Sequence, residues 1–202
     1  MQKNKGSILI TVGLLLIASA LFIIFSNLYE AKQAGDAALE AVQQLETLLV
    51  QQERDRASEI PDYILNPNME MPVENVCGEE YIGVLEIPAL DLELPILSEW
   101  SYPRLRVAPC RYRGSAYLND FIIAAHNYRA HFGLLGNLGI GDIVTFTDMD
   151  GNVFNYKVVE LEVLNSTAIE EMESGEWDLT LFTCTIEGKS RVTVRCEVDM
   201  AD

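Results

Sequence analysis

The sequence contains few basic residues, two histidines and four cysteines, and these shortages exclude several functions. Its 202 residues include 14 Lys and Arg against 31 Asp and Glu. Lys3 and Lys5 are the only charged residues among the first 28, so the remaining chain carries 12 basic and 31 acidic residues, a formal charge of −19. Such a charge repels polyanions, so nucleic acid is not an expected partner. We expect the acidic residues to form a solvated face.

The cysteines and histidines also lack the spacing of a metal site. The cysteines are Cys77, Cys110, Cys184 and Cys196. They include no C-x-x-C pair, and His126 and His131 are the only histidines, so neither a structural zinc nor another cofactor is predicted. In an exported domain, four cysteines permit two disulfides, and a Cys77–Cys110 bond is one option. Burial as small apolar side chains is the simpler interpretation of Cys110 and Cys196.

One long apolar run, residues 8–28, contains no charge. Its 21 residues match the roughly 20 that cross a bilayer as a helix. Two lysines precede it and Glu30 follows, so the positive-inside rule places the N-terminus in the cytoplasm and the remainder outside. A small-residue stretch at 18–20 resembles a signal-peptide cleavage site, but the apolar run exceeds the usual signal core of about 7–15 residues. We therefore predict an uncleaved signal-anchor over residues 1–28, in a single-pass protein of the cell membrane.

Two connecting segments follow the predicted anchor. Residues 29–59 are predicted to form a helical stalk, because small and apolar residues recur every three or four positions. This stripe consists of Ala34, Ala37, Ala38, Ala41, Leu45, Leu48 and Leu49. Docking of the stripe on the following domain, or a role as a spacer, is favoured over self-association. Residues 60–79 are rich in proline and predict a linker, or a flap lying across that domain.

Residues 80–202 are predicted to form a mostly β domain with short helices. Seven short runs rich in β-branched and aromatic residues are separated by Gly, Pro, Asn and Asp. Such spacing is typical of an antiparallel barrel or sandwich. The stretch "TDMDGN" predicts a hairpin turn in which Gly151 supplies a positive φ. Pro88 and Pro95 divide the first run into two strands or one kinked edge strand.

Three polar residues lie at junctions between strands and loops. Cys184 follows the apolar run "TLFT", and Arg191 begins the next strand after a short turn. If these strands pair as a hairpin, the two residues lie beside each other at its open end. His126 ends the buried strand "FIIAA". A thiolate is a nucleophile that a neighbouring cation stabilises. A histidine can transfer protons, and an arginine can bind a developing oxyanion. No carboxylate that would orient the histidine is evident.

The order of these motifs resembles that of the sortases, which are cell-surface transpeptidases of Gram-positive bacteria. "TLFTC" followed by "RVTVR", "FIIAAHNYRAHFGLLGNLGIGDIVTFTD" and "YIGVLEIPALDLELPIL" carry the resemblance, which covers residues 80–198. It implies a closed antiparallel β-barrel with Cys184 as nucleophile, His126 as general acid and base, and Arg191 as the contact to substrate and oxyanion. Arg195 is the competing arginine. The subclass stays open, with class B the nearest.

The resemblance also implies a reaction and its partners. Such an enzyme cleaves an LPxTG-like sorting signal on exported proteins, holds the acyl group on Cys184 as a thioester, and transfers it to an amine of the cell wall, such as a peptidoglycan precursor. Two alternatives remain. One is a non-enzymatic surface module that binds peptides, and the other is a cysteine hydrolase with the same site.

Other polar and aromatic residues have simpler interpretations. An acidic cluster precedes the cysteine strand, in a region where some sortases bind calcium: Glu170, Glu171, Glu173 and Glu176. A solvated loop is favoured over a calcium site, because the cluster lacks a fixed ligand spacing. His131 is expected to be exposed and inert. Aromatic residues such as Trp100 are expected to serve packing.

Overall fold

The computed structural model describes residues 3–56, 60–174, 177–185 and 187–200. Its first element is one continuous helix, α1 (Lys3–Arg56), which is about 80 Å long at 1.5 Å per residue. The N-terminal part of α1 is long and apolar enough to cross a membrane, and its most apolar window is not buried against the rest of the chain. α1 passes through the predicted boundary at residue 28, and residues 57–59 lie outside the described ranges. The four-part division of the chain stays a prediction.

The described residues after α1 form two short helices and nine strands. These are α2 (Asp62–Leu65), β1 (Glu74–Val76), β2 (Glu79–Ile87), β3 (Leu92–Leu97), β4 (Cys110–Arg113), β5 (Phe121–Ala125), β6 (Ile143–Asp148), β7 (Val153–Asn165), α3 (Ile169–Glu173), β8 (Leu179–Cys184) and β9 (Ser190–Val198). Single 3₁₀ turns occur at Pro88–Leu90, Arg104–Arg106 and Leu135–Asn137.

The strands form a closed, mostly antiparallel barrel, as predicted. Their order is β1-β2-β3-β4-β5-β8-β9-β7-β6, and a further pairing between β2 and β6 closes a barrel of eight strands. β1 is added outside the ring, on β2. Two pairings are parallel, β3 with β4 and β5 with β8, and the sequence did not predict them. The β6–β7 hairpin and α3 separate β5 from β8 along the chain, so the two strands become neighbours only in the folded sheet.

The predicted turns take the expected positions. Gly151 has a φ of 79°, and its N–H donates to the carbonyl of Asp148 at 3.0 Å. The Asp148 carboxylate also accepts from the backbone N–H groups of Asp150 and Asn152, both at 2.9 Å. Pro88 begins a 3₁₀ turn that divides the first apolar run into β2 and β3. The "two strands" interpretation of that run is therefore confirmed.

Apolar residues pack on both faces of the barrel wall. One cluster fills the interior, with Leu85, Phe121 and Leu181 among its fully buried members. A second cluster lies on the outer face, between the barrel and α1. α1 contributes five small or apolar residues that are almost completely buried: Ala34, Ala38, Ala41, Val42 and Leu45. Docking, one of the two roles favoured for the predicted stripe, is thus observed.

The segment after α1 packs on the end of the barrel opposite Cys184. Tyr63 of α2 stacks on Tyr117, with ring centroids 4.7 Å apart, and contacts Phe154 near the start of β7. β8 starts at this end, which we call the far end, and reaches Cys184 at the other, which we call the catalytic end. Tyr63 therefore closes the far end of the barrel and does not lie over Cys184.

Candidate active site

Three neighbouring strands place Cys184, His126 and Arg191 side by side at the catalytic end. β5 and β8 run parallel with Ala125 opposite Thr183, so His126 and Cys184 are the next residues in that register. β8 and β9 run antiparallel with Cys184 opposite Arg191. Laterally paired residues of a sheet point to the same face. The three side chains are therefore presented on one face of adjacent strands.

Hydrogen bonds fix the strand ends that carry the thiol and the imidazole. The hydroxyl of Thr183 donates to the carbonyl of Ala125 at 2.9 Å, which joins β8 to β5 immediately before Cys184 and His126. Past the thiol, the N–H of Thr185 donates to the carbonyl of Ser190 at 2.8 Å and closes the hairpin to β9. Cys184 is exposed at the end of an otherwise buried strand. The sulfur is thus accessible on a rigid support.

The Arg191 guanidinium is held beside the thiol strand. Its Nη1 donates to the carbonyl of Ser166, and its central carbon lies 5.7 Å from the centre of the Phe182 ring. Phe182 lies two residues before Cys184 and therefore on the same face of β8. The side chain is half-buried. Ser166 and Phe182 thus hold the guanidinium of Arg191 on the surface that carries the Cys184 thiol.

Arg195, the competing arginine, is a buried structural residue. Its side chain is 2% exposed. Its Nε donates to Glu162 at 2.8 Å, while Nη1 and Nη2 donate to the carbonyls of Met172 and Glu171 at 2.9 and 2.7 Å. Nη1 also donates to the hydroxyl of Thr180 at 3.0 Å. These bonds engage every nitrogen of the guanidinium, so Arg195 is committed to holding α3 on the barrel.

His126 is half-buried between the barrel and α1. Its ring lies 5.0 Å from the ring of Tyr128, measured between centroids. Burial lowers the pKa of His126, the nearby cation of Arg106 lowers it further, and the carboxylate of Glu30 on α1 opposes both effects. Glu30, Arg106 and Tyr128 also line a common cavity of about 610 Å³. The sequence did not predict the proximity of Glu30 to His126, because the two residues are far apart along the chain.

Removing the charge of Glu30 is expected to lower the pKa of His126 further, because Glu30 is the group that favours the imidazolium form. Glu30→Gln tests this, with the His126 ring followed by NMR across a pH titration. Glu40→Gln is a matched control, since Glu40 lines the same cavity ten residues further along α1. A titration of His126 that is unchanged in Glu30→Gln, or that moves equally in both variants, would contradict this role.

His131, expected to be exposed, is in fact fully buried. The sequence placed it in a polar loop, but α1 covers that loop. Gly35 approaches so closely that a Cβ atom there would lie 2.9 Å from the Cβ of Ala130. The pKa of His131 is lowered to about 4 from its ordinary 6.5, chiefly by burial; a hydrogen bond with the backbone of Ala34 opposes this shift, and the charge of His126 adds to it. His131 is therefore neutral at pH 7 and packs between the loop and the helix.

Acid is expected to destabilise the fold through His131. Because its folded pKa is below the unfolded value, its contribution is complete above pH 6.5 and is lost as the pH falls through about 4. That difference corresponds to about 3 kcal/mol at most. Urea denaturation of the full chain in a non-ionic detergent, at pH 7.5 and at pH 4.5, measures it. The free energy of unfolding should fall less with acid in His131→Leu than in the wild-type chain. An equal fall in both would refute the assignment.

A cavity of about 640 Å³ opens beside Cys184. Its lining includes Thr183, Asn127, Phe132 and Val192. The volume is in the range of ordinary ligand pockets. On the face of β8 that carries the thiol, Phe182 contacts Tyr112, which in turn contacts Trp100. The thiol thus lies between a cavity and a row of aromatic rings.

The remaining candidates lie away from the thiol or are engaged elsewhere. The hydroxyl of Tyr112 and the guanidinium of Arg113 donate to Glu173, at 3.1 and 2.6 Å. Within the described ranges no group of three or more potential metal-ligating side chains comes together. Glu176 lies outside those ranges, so calcium binding stays untested. All four cysteines are unpaired, so the Cys77–Cys110 bond does not form, and Cys110 and Cys196 are buried as expected.

Comparison with known proteins agrees with this architecture. The sequence matches the sortase domain family over residues 85–199. Sortase C1 from Streptococcus suis is 25% identical, with a TM-score of 0.52 over 60% of this chain and 74% of that one. Sortase C from Streptococcus pneumoniae is 25% identical, with a TM-score of 0.54 over 80% and 94%. Sortase A from Corynebacterium diphtheriae shares the fold at 18% identity, with a TM-score of 0.54 over 88% and 95%. No curated protein matches the chain at a significant level.

The family match covers more than half of the chain, from within β2 almost to its C-terminus. The fold, a closed eight-stranded barrel with Cys184 exposed at the end of β8, agrees with it. The chain belongs to the sortase family, a family of transpeptidases. The matched structures include sortases A, C and D, so the shared fold extends across these designations.

Proposed function

We propose that the chain is a membrane-anchored cysteine transpeptidase that cleaves an LPxTG-like sorting signal on exported proteins and transfers the acyl group to an amine of the cell wall. The observation that carries the proposal is the side-by-side placement of His126, Cys184 and Arg191 on three adjacent strands. The apolar part of α1 supports an anchor, with the N-terminus in the cytoplasm and the barrel outside.

In the first half-reaction the Cys184 thiolate attacks the carbonyl of the scissile peptide bond. The guanidinium of Arg191 donates hydrogen bonds to the carbonyl oxygen as negative charge develops on it. The tetrahedral intermediate collapses by breaking the C–N bond, and the imidazolium of His126 gives its proton to the departing amine. The products are a thioester on Cys184, a free amine and a neutral His126.

In the second half-reaction an amine of the wall precursor attacks the thioester carbonyl. Neutral His126 accepts the proton that the amine loses, and the C–S bond breaks to release the new amide and the thiolate. The enzyme returns to its starting state with a thiolate and an imidazolium. Hydrolysis differs only in that water takes the place of the amine, so the acceptor decides between transfer and hydrolysis.

Intact-mass spectrometry of the full chain in detergent tests the proposal. The chain is incubated with a panel of LPxTG-type peptides, with and without an added amine such as triglycine. We expect an acyl adduct on Cys184 that the amine discharges to a ligated peptide. An adduct that only water discharges would establish the hydrolase instead. No adduct with any peptide, together with an unreactive Cys184, would favour the non-enzymatic peptide-binding module.

A further inference from the structure

α1 connects the apolar segment to the barrel without a break. Residues 8–28 are apolar and free of charge, and the first almost fully buried residue of α1 is Ala34. Ala34 lies six positions after Leu28 in the helix, a rise of about 9 Å. Because a continuous helix is stiff over this length, the docked part of α1 sets the position of the barrel relative to the apolar segment.

The contacts along α1 show which end of the barrel faces that segment. Glu30 lies close enough to His126 to influence its charge, and Gly35 packs against Ala130 in the loop that follows. Further along, the Gln44 amide lies 3.7 Å from the sulfur of Cys77, in the β1–β2 turn at the far end. From its N-terminal to its C-terminal part, α1 therefore runs from the catalytic end to the far end of the barrel. The apolar segment, at the N-terminal part of α1, projects beyond the catalytic end.

The side chains around this exit suit the surface of a lipid bilayer. Tyr29, directly after the apolar run, is 63% exposed, and tyrosine is enriched where membrane meets water. Lys32 and Arg129 are exposed and line one groove between α1 and the loop after His126. Long basic side chains commonly extend to phosphate headgroups at this depth. They supply two cations at this end of a strongly acidic domain, next to the carboxylates of Asp91 in the same groove and of Glu30 on α1.

We propose that the catalytic end of the barrel rests on the outer lipid headgroups, through a surface formed by Tyr29, Lys32 and the loop at 127–134. This proposal depends on the membrane anchoring proposed above. Glu30 lies two residues, or about 3 Å, beyond the apolar run, so the site works on the order of 10 Å from the bilayer. The far end, about 20 Å away along β8, faces bulk water.

Depth measurements on the full chain test this orientation. A fluorophore is attached at Arg129→Cys or, as the matched far-end control, at Val153→Cys, which replaces another exposed residue. The exposed thiols are first removed by Cys77→Ser and Cys184→Ala. The chain is reconstituted in phosphatidylcholine–phosphatidylglycerol vesicles that contain a lipid with a spin label on its headgroup. We expect at least about half of the Arg129 fluorescence to be quenched, and little of the Val153 fluorescence.

A helical spacer separates orientation from simple proximity. Eleven helix-forming residues inserted between Leu28 and Tyr29 add about 16 Å and about three whole turns. The quenching at Arg129 should then fall towards the Val153 value. The same insertion after Arg56 should leave it unchanged, because the docked part of α1 stays next to the apolar segment.

Vesicle flotation of each variant distinguishes the two proposals. A chain that does not float with the vesicles would overturn the anchoring and, with it, this orientation. A chain that floats but shows equal quenching at both positions, or stronger quenching at Val153, would overturn the orientation alone. Quenching at Arg129 that persists with the spacer at residue 28 would also overturn it.

Discussion

Replacing Cys184 with alanine is expected to reduce transpeptidation to the uncatalysed level while leaving the fold intact. The thioester cannot form without the sulfur, so no other group can hold the acyl chain between the two half-reactions. Cys184 is exposed at the end of β8, so its truncation should change the free energy of unfolding by less than about 0.5 kcal/mol. Peptide ligation measured by mass spectrometry, and urea denaturation of the same variant, give the two values.

Cys77→Ser is the matched control for this loss. Cys77 is the other exposed thiol, and it lies in the β1–β2 turn at the far end of the barrel. Its substitution should leave ligation at the wild-type rate. Full ligation by Cys184→Ala, or an equal loss in both variants, would remove Cys184 from the role of nucleophile.

Opposite defects are expected from the two arginines of β9. Arg191→Ala should lower kcat/KM for ligation by about 100-fold or more, the usual cost of losing an oxyanion donor, with little change in stability. Arg195→Ala should lower the free energy of unfolding by about 3 kcal/mol or more, because it leaves buried acceptors and the Glu162 carboxylate without their partner. The loss of activity in Arg195→Ala should follow the loss of folded protein.

Steady-state kinetics and urea denaturation of both variants separate these effects. Arg191→Lys is a useful third variant, because lysine keeps the charge but loses the planar arrangement of donors. We expect Arg191→Lys to recover only part of the activity. A stable Arg195→Ala chain with a large kinetic defect would instead assign the oxyanion contact to Arg195.

The local parts of the fold and site could be predicted from the sequence. Alternating β-branched runs indicated the strands, and Asp150-Gly151 indicated the hairpin between β6 and β7. The short hairpin between Cys184 and Arg191 was equally local, because only a turn separates the two strands. The position of His126 beside Cys184 came from the family resemblance, since their parallel pairing joins strands that are distant in sequence.

The sequence favoured docking of α1, but the surface that α1 covers and its direction along the barrel could not be predicted, because they depend on tertiary packing. An apolar stripe shows that a helix has a face to bury, but not which surface will cover it or in which direction the helix will run. Glu30 approaches His126 only because α1 crosses the outer face of the barrel. The same helix buries His131. The polar neighbours of His131 in the sequence had predicted an exposed side chain.

The packing of α1 also limits where the chain can be cut and still release an intact enzyme. In the membrane-anchored enzyme proposed above, a protease acting between Leu28 and Ala31 would release a chain that keeps the helix over the second apolar cluster. A cut just after Arg56 would spare the barrel strands but allow α1 to leave with the membrane. The released barrel would then expose the outer surface around Tyr81, Val84 and Leu97, which is buried in the complete chain. Such a surface promotes aggregation. A cut after Arg56 would therefore inactivate the enzyme, whereas a cut between Leu28 and Ala31 would release it in an active form.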